Sequence, residues 1–330
     1  MPAAVLAQVF RIRGRKAGCS TMLGVIDVGG GLRDIFGAGI FDWCMEHGVN
    51  FDYGIGVSAG SANIASYISR QHGRNIPFYA DYPQRREYMG WGNFLRHRSF
   101  INLQYIYGTL TNEGGENPII WERFSQDKMP FKIVASNALT GRAHYFDKSG
   151  IHHNDFRPIM ASCNVPIVDR PFVIDGVPYY DGGICDPVPI DQALSDGCTE
   201  FILILTKPRD LIRTSEKDSR EAALFLKHKY PKLAAALANR AVTYNNGVAY
   251  AKRLEKEGKC LILAPTDIGN LKTLTIDRDM QMDLYRQGRE EAEKIPAFLD
   301  RIGFPYQKDA DPVLAAQVPV LQSAASRAHH

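Results

Sequence analysis

The stretch FDYGIGVSAGSANIAS, residues 51–66, decides the fold of this chain. Phe51 to Val57 predicts a short buried strand, and small residues at helical spacing follow it. Between them, Gly56 to Gly60 fits G-x-S-x-G, a pattern in which a strand turns sharply into a helix and exposes a serine. The helix N-terminus favours negative charge near that serine. Ser58 is therefore a candidate nucleophile, and the alternative interpretation is a glycine-rich turn with an N-cap serine.

A second glycine turn lies upstream. Residues 22–28, MLGVIDV, predict a buried strand; Gly29-Gly30-Gly31 follows, and then an apolar helical pattern that ends near Gly48. Two successive strand–turn–helix units predict parallel connections and an α/β fold. Consecutive glycines direct backbone N–H groups at one point, which suits an oxyanion or a nucleotide phosphate. The nucleotide alternative is weakened because Asp34 stands where G-x-G-x-x-G requires glycine.

A serine nucleophile also needs a base. In an α/β hydrolase that base is a histidine late in the chain, and here His228 lies in a Lys-rich helical pattern that suggests a solvated residue. Asp181 instead comes directly after a predicted hairpin, residues 172–180, and two glycines follow it. A partly buried aspartate beside the serine can take the hydroxyl proton itself. Taken alone, Asp-Gly-Gly is also a common turn.

Together these stretches resemble the patatin-like phospholipase family. The matches are G-G-G-x-R at 29–33, G-x-S-x-G at 56–60 and D-G-G at 181–183, in the family's order, and the resemblance covers about residues 22–206. It implies an α/β three-layer sandwich with a mainly parallel central sheet, helices on both faces and a helical C-terminal extension. Asp34 departs from the family pattern, which usually has glycine there. An acid at this position is expected to lower the positive potential beside the oxyanion site.

The resemblance implies a hydrolase of lipid metabolism and lipid degradation that cleaves acyl esters through a Ser–Asp catalytic dyad. Ser58 would be the nucleophile and Asp181 the general base, with no metal and no organic cofactor. The oxyanion hole would be formed by the backbone N–H groups of Gly30, Gly31, Leu32 and Ala59. The supporting motif residues are Gly29, Arg33, Gly56, Gly60, Gly182 and Gly183. The alternative from another class is a non-catalytic lipid- or nucleotide-binding module on the same scaffold, which Asp34 would permit.

Composition narrows the class of protein. The formal net charge of +3 over 330 residues is too small to indicate a nucleic-acid partner. The six cysteines form no C-x-x-C pair, which predicts thiols in a reducing compartment and hence a cytoplasmic protein. No run of eighteen apolar residues occurs, so no membrane-spanning helix is expected. The partner predicted is a lipid or acyl-ester substrate, and the sequence leaves the oligomeric state undefined.

The chain is predicted to have four parts. Residues 1–21 are expected to be disordered, because their apolar part precedes a basic cluster, the reverse of a signal peptide. The catalytic domain is assigned to 22–206, a mostly helical extension to 207–306 and a flexible tail to 307–330. Within the first domain, 74–108 holds nine aromatic residues and five arginines against two acids. This segment predicts an irregular cap over a pocket, with peripheral contact to a membrane surface, or else a packed surface excursion.

Overall fold

A mixed eight-stranded sheet forms the centre of the molecule. The computed structural model describes residues 21–97, 99–166, 169–214 and 217–315. The strands are β1 (Leu23–Asp27), β2 (Tyr53–Val57), β3 (Phe131–Asn137), β4 (Arg142–Asp147), β5 (Phe172–Ile174), β6 (Val177–Asp181), β7 (Glu200–Ile204) and β8 (Cys260–Leu263).

The sheet has a parallel half and an antiparallel half. Its order is β5-β6-β3-β2-β1-β7-β8, and β4 also pairs with β3. The pairs β3–β2, β2–β1, β1–β7 and β7–β8 are parallel, whereas β3–β4, β3–β6 and β5–β6 are antiparallel. The prediction of a mainly parallel central sheet is confirmed, with the antiparallel strands gathered at one side.

Helices cover both faces of this sheet. They are α1 (Ile35–Glu46), α2 (Ala59–Ile68), α3 (Ile76–Ala80), α4 (Trp91–His97), α5 (Trp121–Gln126), α6 (Arg157–Ser162), α7 (Ile190–Ser195), α8 (Lys217–Leu226), α9 (Pro231–Lys256), α10 (Arg278–Ala292), α11 (Ile295–Ile302) and α12 (Pro312–Ala315). Successive residues of β1 point to opposite cores: Val25 packs with α1 and α2, and Ile26 packs with α7 and α9. The predicted three-layer arrangement is therefore confirmed.

The C-terminal region is built into the same sheet. Strand β8 extends the sheet beside β7, and α10 packs against α1 so closely that a Cβ on Gly288 would lie 2.1 Å from the carbonyl oxygen of Phe36. The mostly helical extension does not run as one helix over residues 278–301. It is divided into α10 and α11, and Pro296 in the first turn of α11 suits a new helix start rather than a continuation.

The predicted terminal segments are only partly described. Residues 1–20 of the N-terminal segment and 316–330 of the tail lie outside the described residues. In the described part of the tail, Gln307 and Asp311 donate backbone N–H groups to the carbonyl oxygens of His47 and Glu46, at 2.7 and 2.8 Å. No helix in the described part of the chain is both long and apolar enough to cross a bilayer.

The segment 74–108 is more regular than its sequence suggests. It contains α3, α4 and most of a π-helical stretch, Gln104–Leu110, so the prediction of an irregular segment is wrong in this respect. Arg74 fixes its start, because the buried guanidinium donates to the Ser66 hydroxyl at 2.9 Å and to the Asn117 carbonyl at 2.8 Å. Such short helices depend on tertiary contacts rather than on a repeating apolar pattern. The sequence therefore gives no clear signal for these helices.

A buried ion-pair network joins α1 to α10. The Glu46 carboxylate, with a side chain 1% exposed, accepts two hydrogen bonds from Arg289, at 2.7 and 2.8 Å, and contacts His72 Nε2 at 2.7 Å. Burial alone would raise the pKa of Glu46, but these partners hold it at about 2 against a usual 4.5. The network therefore fixes the C-terminal region against the helix that follows the glycine turn.

We expect Glu46→Gln to lower the free energy of unfolding by about 2 kcal/mol at neutral pH, since it removes the charge from hydrogen bonds that Arg289 donates. Because the pKa of Glu46 is depressed in the folded state, its contribution is present above pH 4.5 and is lost as the pH falls towards about 2. Urea denaturation over this range measures the effect. The control is Glu257→Gln, in an exposed pair with Lys259; equal losses in both variants would contradict the prediction.

Candidate active site

Strand β3 brings the two predicted catalytic residues together. Val57, the last residue of β2, pairs with Val134, while Asp181, the last residue of β6, pairs with Ala135. Strand β4 occupies one edge of β3 along its length, so β2 and β6 must share the other edge. Ser58 and Asp181 therefore lie next to neighbouring residues on the same edge of β3. In the sequence they are 123 positions apart.

The turn that carries Ser58 is strained and held by neighbours. Ser58 has φ 55° and ψ −129°, a backbone conformation that residues other than glycine rarely adopt. Its N–H donates to Ser162 Oγ at 2.8 Å, and that hydroxyl donates to the Val134 carbonyl at 2.6 Å. A Cβ on Gly60 would lie 2.5 Å from the Asp27 carbonyl oxygen, so only glycine fits there. These constraints present the Ser58 side chain at the bend, as the motif predicts.

Asp181 is fixed through both its backbone and its carboxyl group. Its N–H donates to the Asn164 carbonyl at 2.8 Å, and its Oδ1 accepts the N–H of Gly183 at 2.8 Å. Burial raises the pKa of Asp181, whereas the positive charge of Arg240 and a hydrogen bond from the Ser58 hydroxyl lower it, leaving it above its usual value. A buried carboxylate that contacts a serine hydroxyl, with a raised proton affinity, is suited to general-base chemistry.

The glycine turn forms the other wall. Gly29 adopts φ 65°, and its N–H donates to Asp27 Oδ1 at 3.0 Å. Within the described residues, the N–H groups of Gly30 and Gly31 have no protein acceptor, and that of Ala59 begins α2, where helical N–H groups are left unpaired. The Leu32 N–H is different, because it donates to the Thr273 carbonyl at 2.9 Å. Three of the four proposed donors are therefore unengaged, and Leu32 is not.

The supporting motif residues surround this point. Arg33 is buried in the short helical turn that follows the glycines, and its Nη1 donates to Thr273 Oγ1 at 3.3 Å. Gly56 lies in β2, next to the elbow, and Gly182 and Gly183 form a tight turn directly after Asp181.

Asp34, the residue that departs from the family pattern, is buried in the structure. Its side chain is 0% exposed and lies beside Asp27. No hydrogen-bond partner for its carboxyl oxygens is found among the described residues, whereas Asp27 accepts from Gly29 and from Asn63. Burial, then the negative charge of Asp27, raises the pKa of Asp34 well above its usual value. The raised pKa favours the protonated, uncharged form of Asp34, which opposes the positive charge of Arg33 less than an ionised carboxylate would.

A cavity of about 450 Å³ opens over these residues, a size that suits a small organic ligand. Ser58, Asp181 and the three glycines of the turn line it. One wall is mainly apolar and comes largely from the 74–108 segment and the residues that follow it. Its members are Tyr79, Tyr88, Met89, Ile101, Leu103 and Ile106. The segment thus covers the pocket as predicted, while its predicted contact with a membrane remains a prediction.

The opposite wall carries charge. Its cationic residues are Arg33, Lys207, Arg213 and Arg240. No histidine of the described chain lines the cavity, and His228 is exposed beyond α8. In the described ranges, no group of three or more His, Cys, Asp or Glu side chains could hold a metal ion.

Sequence reasoning missed the residues that α9 and the segment before it contribute, namely Arg213, Arg240 and Tyr244. They belong to no motif and lie 30 or more positions beyond the Asp-Gly-Gly sequence. It also gave no role to Cys163, whose thiol lies near the Ser58 hydroxyl.

Comparison with known families agrees with the geometry. The family model of the patatin-like phospholipases matches residues 28–194, half of the chain, and includes the glycine turn, the elbow and Asp181. The chain belongs to the patatin-like phospholipase family. A second model, DUF6363, a domain of unknown function, matches residues 230–302 and so contains α9, β8, α10 and α11. Membership of the patatin-like phospholipases supports a lipid hydrolase at the level of the family.

Individual relatives of this patatin-like protein are distant. "Uncharacterized protein YjjU" of Escherichia coli (strain K12) is 27% identical over 203 residues, which cover 57% of this chain and 53% of the relative. "Lysophospholipase NTE1" of Yarrowia lipolytica is 23% identical over 285 residues, 82% of this chain and 19% of the relative. The chain thus spans about half of the first relative and a fifth of the second. The structure of VipD from Legionella pneumophila has a TM-score of 0.44 and 14% identity, covering 85% of this chain and 67% of that chain.

The buried acid pair makes this patatin-like protein sensitive to pH. Above about pH 4 the unfolded chain releases the Asp34 proton, while the folded protein retains it. Stability therefore declines as the pH rises towards the folded pKa, by up to about 1.4 kcal/mol per pH unit. Asp34→Asn carries no such proton, so we expect its stability relative to wild type to increase with pH. Denaturation at several pH values measures this, with exposed Asp309→Asn as the control; a constant difference would contradict it.

Proposed function

We propose that the protein is a carboxylic ester hydrolase that cleaves lipid acyl esters through an acyl-Ser58 intermediate. The observation that carries the proposal is that Ser58, on a strained elbow, and the buried Asp181 follow from neighbouring positions on one edge of β3 and line the same cavity. The family supports the reaction class, and the similarity to a lysophospholipase of Yarrowia lipolytica supports the phospholipase A, lysophospholipase or esterase type.

The proposed reaction uses one carboxylate twice. Asp181 takes the proton from Ser58 Oγ as that oxygen attacks the ester carbonyl carbon, and a tetrahedral oxyanion forms. The N–H groups of Gly30, Gly31 and Ala59 stabilise the oxyanion, with Arg33 adding positive charge nearby. Collapse breaks the bond to the alcohol, which leaves with the proton from Asp181. Asp181 then deprotonates a water molecule that attacks the acyl-serine, and it returns the proton to Ser58 Oγ as the acyl–oxygen bond breaks and the fatty acid leaves.

The Leu32 N–H is the least suited of the four predicted oxyanion donors. It already donates to the Thr273 carbonyl, and using it would break that hydrogen bond during the reaction. Preorganised donors stabilise charge because they need no rearrangement as it develops. We therefore assign the oxyanion hole to Gly30, Gly31 and Ala59.

The apolar wall is the proposed site of the acyl chain, because burial of its methylene groups there is favourable. On the outer side of the 74–108 segment, Trp91 and Leu95 are 72% and 78% exposed. Exposed apolar side chains of this size support peripheral contact with a lipid surface. The five cysteines of the described chain are free thiols, which fits the proposed cytoplasmic location.

We expect Ser58→Ala and Asp181→Asn each to reduce kcat/KM for a chromogenic fatty-acyl ester by roughly a thousandfold or more, because each removes a group that acts only in the transition state. Initial rates with folded variants, checked by circular dichroism, measure this. Ser125→Ala, on the exposed side of α5, is the matched control and should retain full activity.

Two further results would decide between the proposal and its alternative. A serine-directed fluorophosphonate should label Ser58, and labelling elsewhere would redirect the assignment. Binding of lipid vesicles or of a nucleotide without hydrolysis by the wild-type protein would favour the non-catalytic module.

We expect His228→Ala to leave kcat/KM unchanged within about twofold, because the residue is exposed and outside the cavity.

The proposed base, Asp181, is active when its carboxyl group is ionised, and the pKa of that group is raised. The rate should therefore fall with decreasing pH, with a midpoint above about pH 4. The pH–rate profiles of wild type and variant measure both points. A profile that depends on His228 would instead support a histidine-based hydrolase.

A further inference from the structure

The cavity lining includes charged residues that are not part of the proposed Ser58–Asp181 dyad. Four cationic side chains line the cavity, against two acidic ones, Asp181 and Glu221. Arg33 comes from the glycine turn, whereas Arg213 and Arg240 come from the segment before α9 and from α9 itself. Two separate regions of the chain therefore direct positive charge into one cavity, which favours an anionic ligand.

Three arginines converge on Tyr244. The guanidinium of Arg213 lies 3.8 Å from the centre of the Tyr244 ring. Burial raises the pKa of Tyr244, and the positive charges of Arg213, Arg33 and Arg240 act against it, so all three lie near the phenol. Tyr244, on α9, lines the cavity, and no hydrogen bond of its hydroxyl to a described residue is found. A hydroxyl donor surrounded by guanidinium groups is a suitable partner for an oxyanion.

Arg240 is oriented for binding. Its Nε donates to the Gly183 carbonyl at 2.7 Å, which fixes the plane of the guanidinium. Within the part of the chain that the structure describes, no carboxylate lies within 4.0 Å of it. The terminal nitrogens are therefore left to a ligand, and a fixed guanidinium can donate two parallel hydrogen bonds to a phosphate.

Ser58 lines the same cavity as the apolar and the charged residues. Cys163, which also lines the cavity, contacts the Tyr107 hydroxyl at 3.5 Å. The Oδ1 of Asp181 binds the N–H of Gly183, and the Gly183 carbonyl binds Arg240. The cavity thus offers apolar residues for an acyl chain and, through the Gly183 turn, a cationic residue linked to the predicted base.

We propose that Arg213, Arg240 and Tyr244 form a binding site for the phosphate of the alcohol portion of the substrate. The inference rests on the proposed function and extends it, because it assigns headgroup selection to the C-terminal region. Phosphate suits this site better than a carboxylate, since its oxygens can accept from two guanidinium groups and a hydroxyl at once. Arg240 and Tyr244 lie within the DUF6363 match, which gives that domain a role in substrate recognition.

Binding to Ser58→Ala protein tests the site without turnover. Isothermal titration would compare a short-chain monoacylglycerol phosphate, the monoacylglycerol of the same chain, and inorganic phosphate. We expect the phosphate-bearing lipid to bind at least tenfold tighter than the neutral one, and tighter than inorganic phosphate. Arg240→Gln and Arg213→Gln, each combined with Ser58→Ala, should reduce this preference about tenfold. Arg253→Gln, an exposed arginine at the far end of α9, is the matched control and should retain it.

The ratio of the affinities for the phosphate-bearing and the neutral lipid distinguishes a recognition role of the arginines from a structural one. If Arg240 only supported the Gly183 turn, its loss would weaken both lipids equally, and that result would overturn the proposal. Equal binding of the two lipids by the parent protein would also overturn it, as would a site that holds inorganic phosphate as tightly as the lipid. Hydrolysis of a neutral chromogenic ester by the arginine variants tests the dyad separately, because that substrate carries no phosphate.

Discussion

One edge of strand β3 is the constraint on which the proposed chemistry depends. A strand has two edges, and β4 fills one of them. The other edge is divided, with β2 pairing as far as Val134 and β6 pairing from Ala135. Backbone hydrogen bonds thereby fix where the elbow and the carboxylate emerge. Side-chain contacts, such as that of Ser162 with Ser58, refine a position that the register has already set.

The glycine turn depends on the neighbouring strands in the same way. Asp27, at the end of β1, accepts the Gly29 N–H, and Thr206, just beyond β7, donates to the Gly29 carbonyl at 2.5 Å. Both polar groups of this residue are thus engaged, while the next two N–H groups are left for a ligand. A loop with such fixed dipoles needs little reorganisation when negative charge develops. The buried Asp34 packs beside Asp27, and its raised pKa favours the uncharged form.

The sequence predicted the parts of the site that local chemistry dictates. The strained elbow at Ser58, the glycine turn and Asp181 each carry a signature in neighbouring residues, and the three-layer fold follows from the strand–turn–helix order. Arg240 and Tyr244 could not be found this way, because their role depends on where a long helix packs and not on any local pattern. The ionisation of Asp34 was equally inaccessible, since it depends on burial beside Asp27. Pro296 marks the break between α10 and α11, but the helical pattern of apolar residues continues across it.

Strand β8 makes the region of unknown function part of the architecture of the whole protein. It pairs with β7 on the edge opposite β1, and α10 covers α1. A chain that stopped after β7 would expose an unpaired hydrophobic strand edge, which is a template for aggregation. The two matched family regions therefore share one sheet and one hydrophobic core. Any evolutionary change in the later half acts on a single shared core.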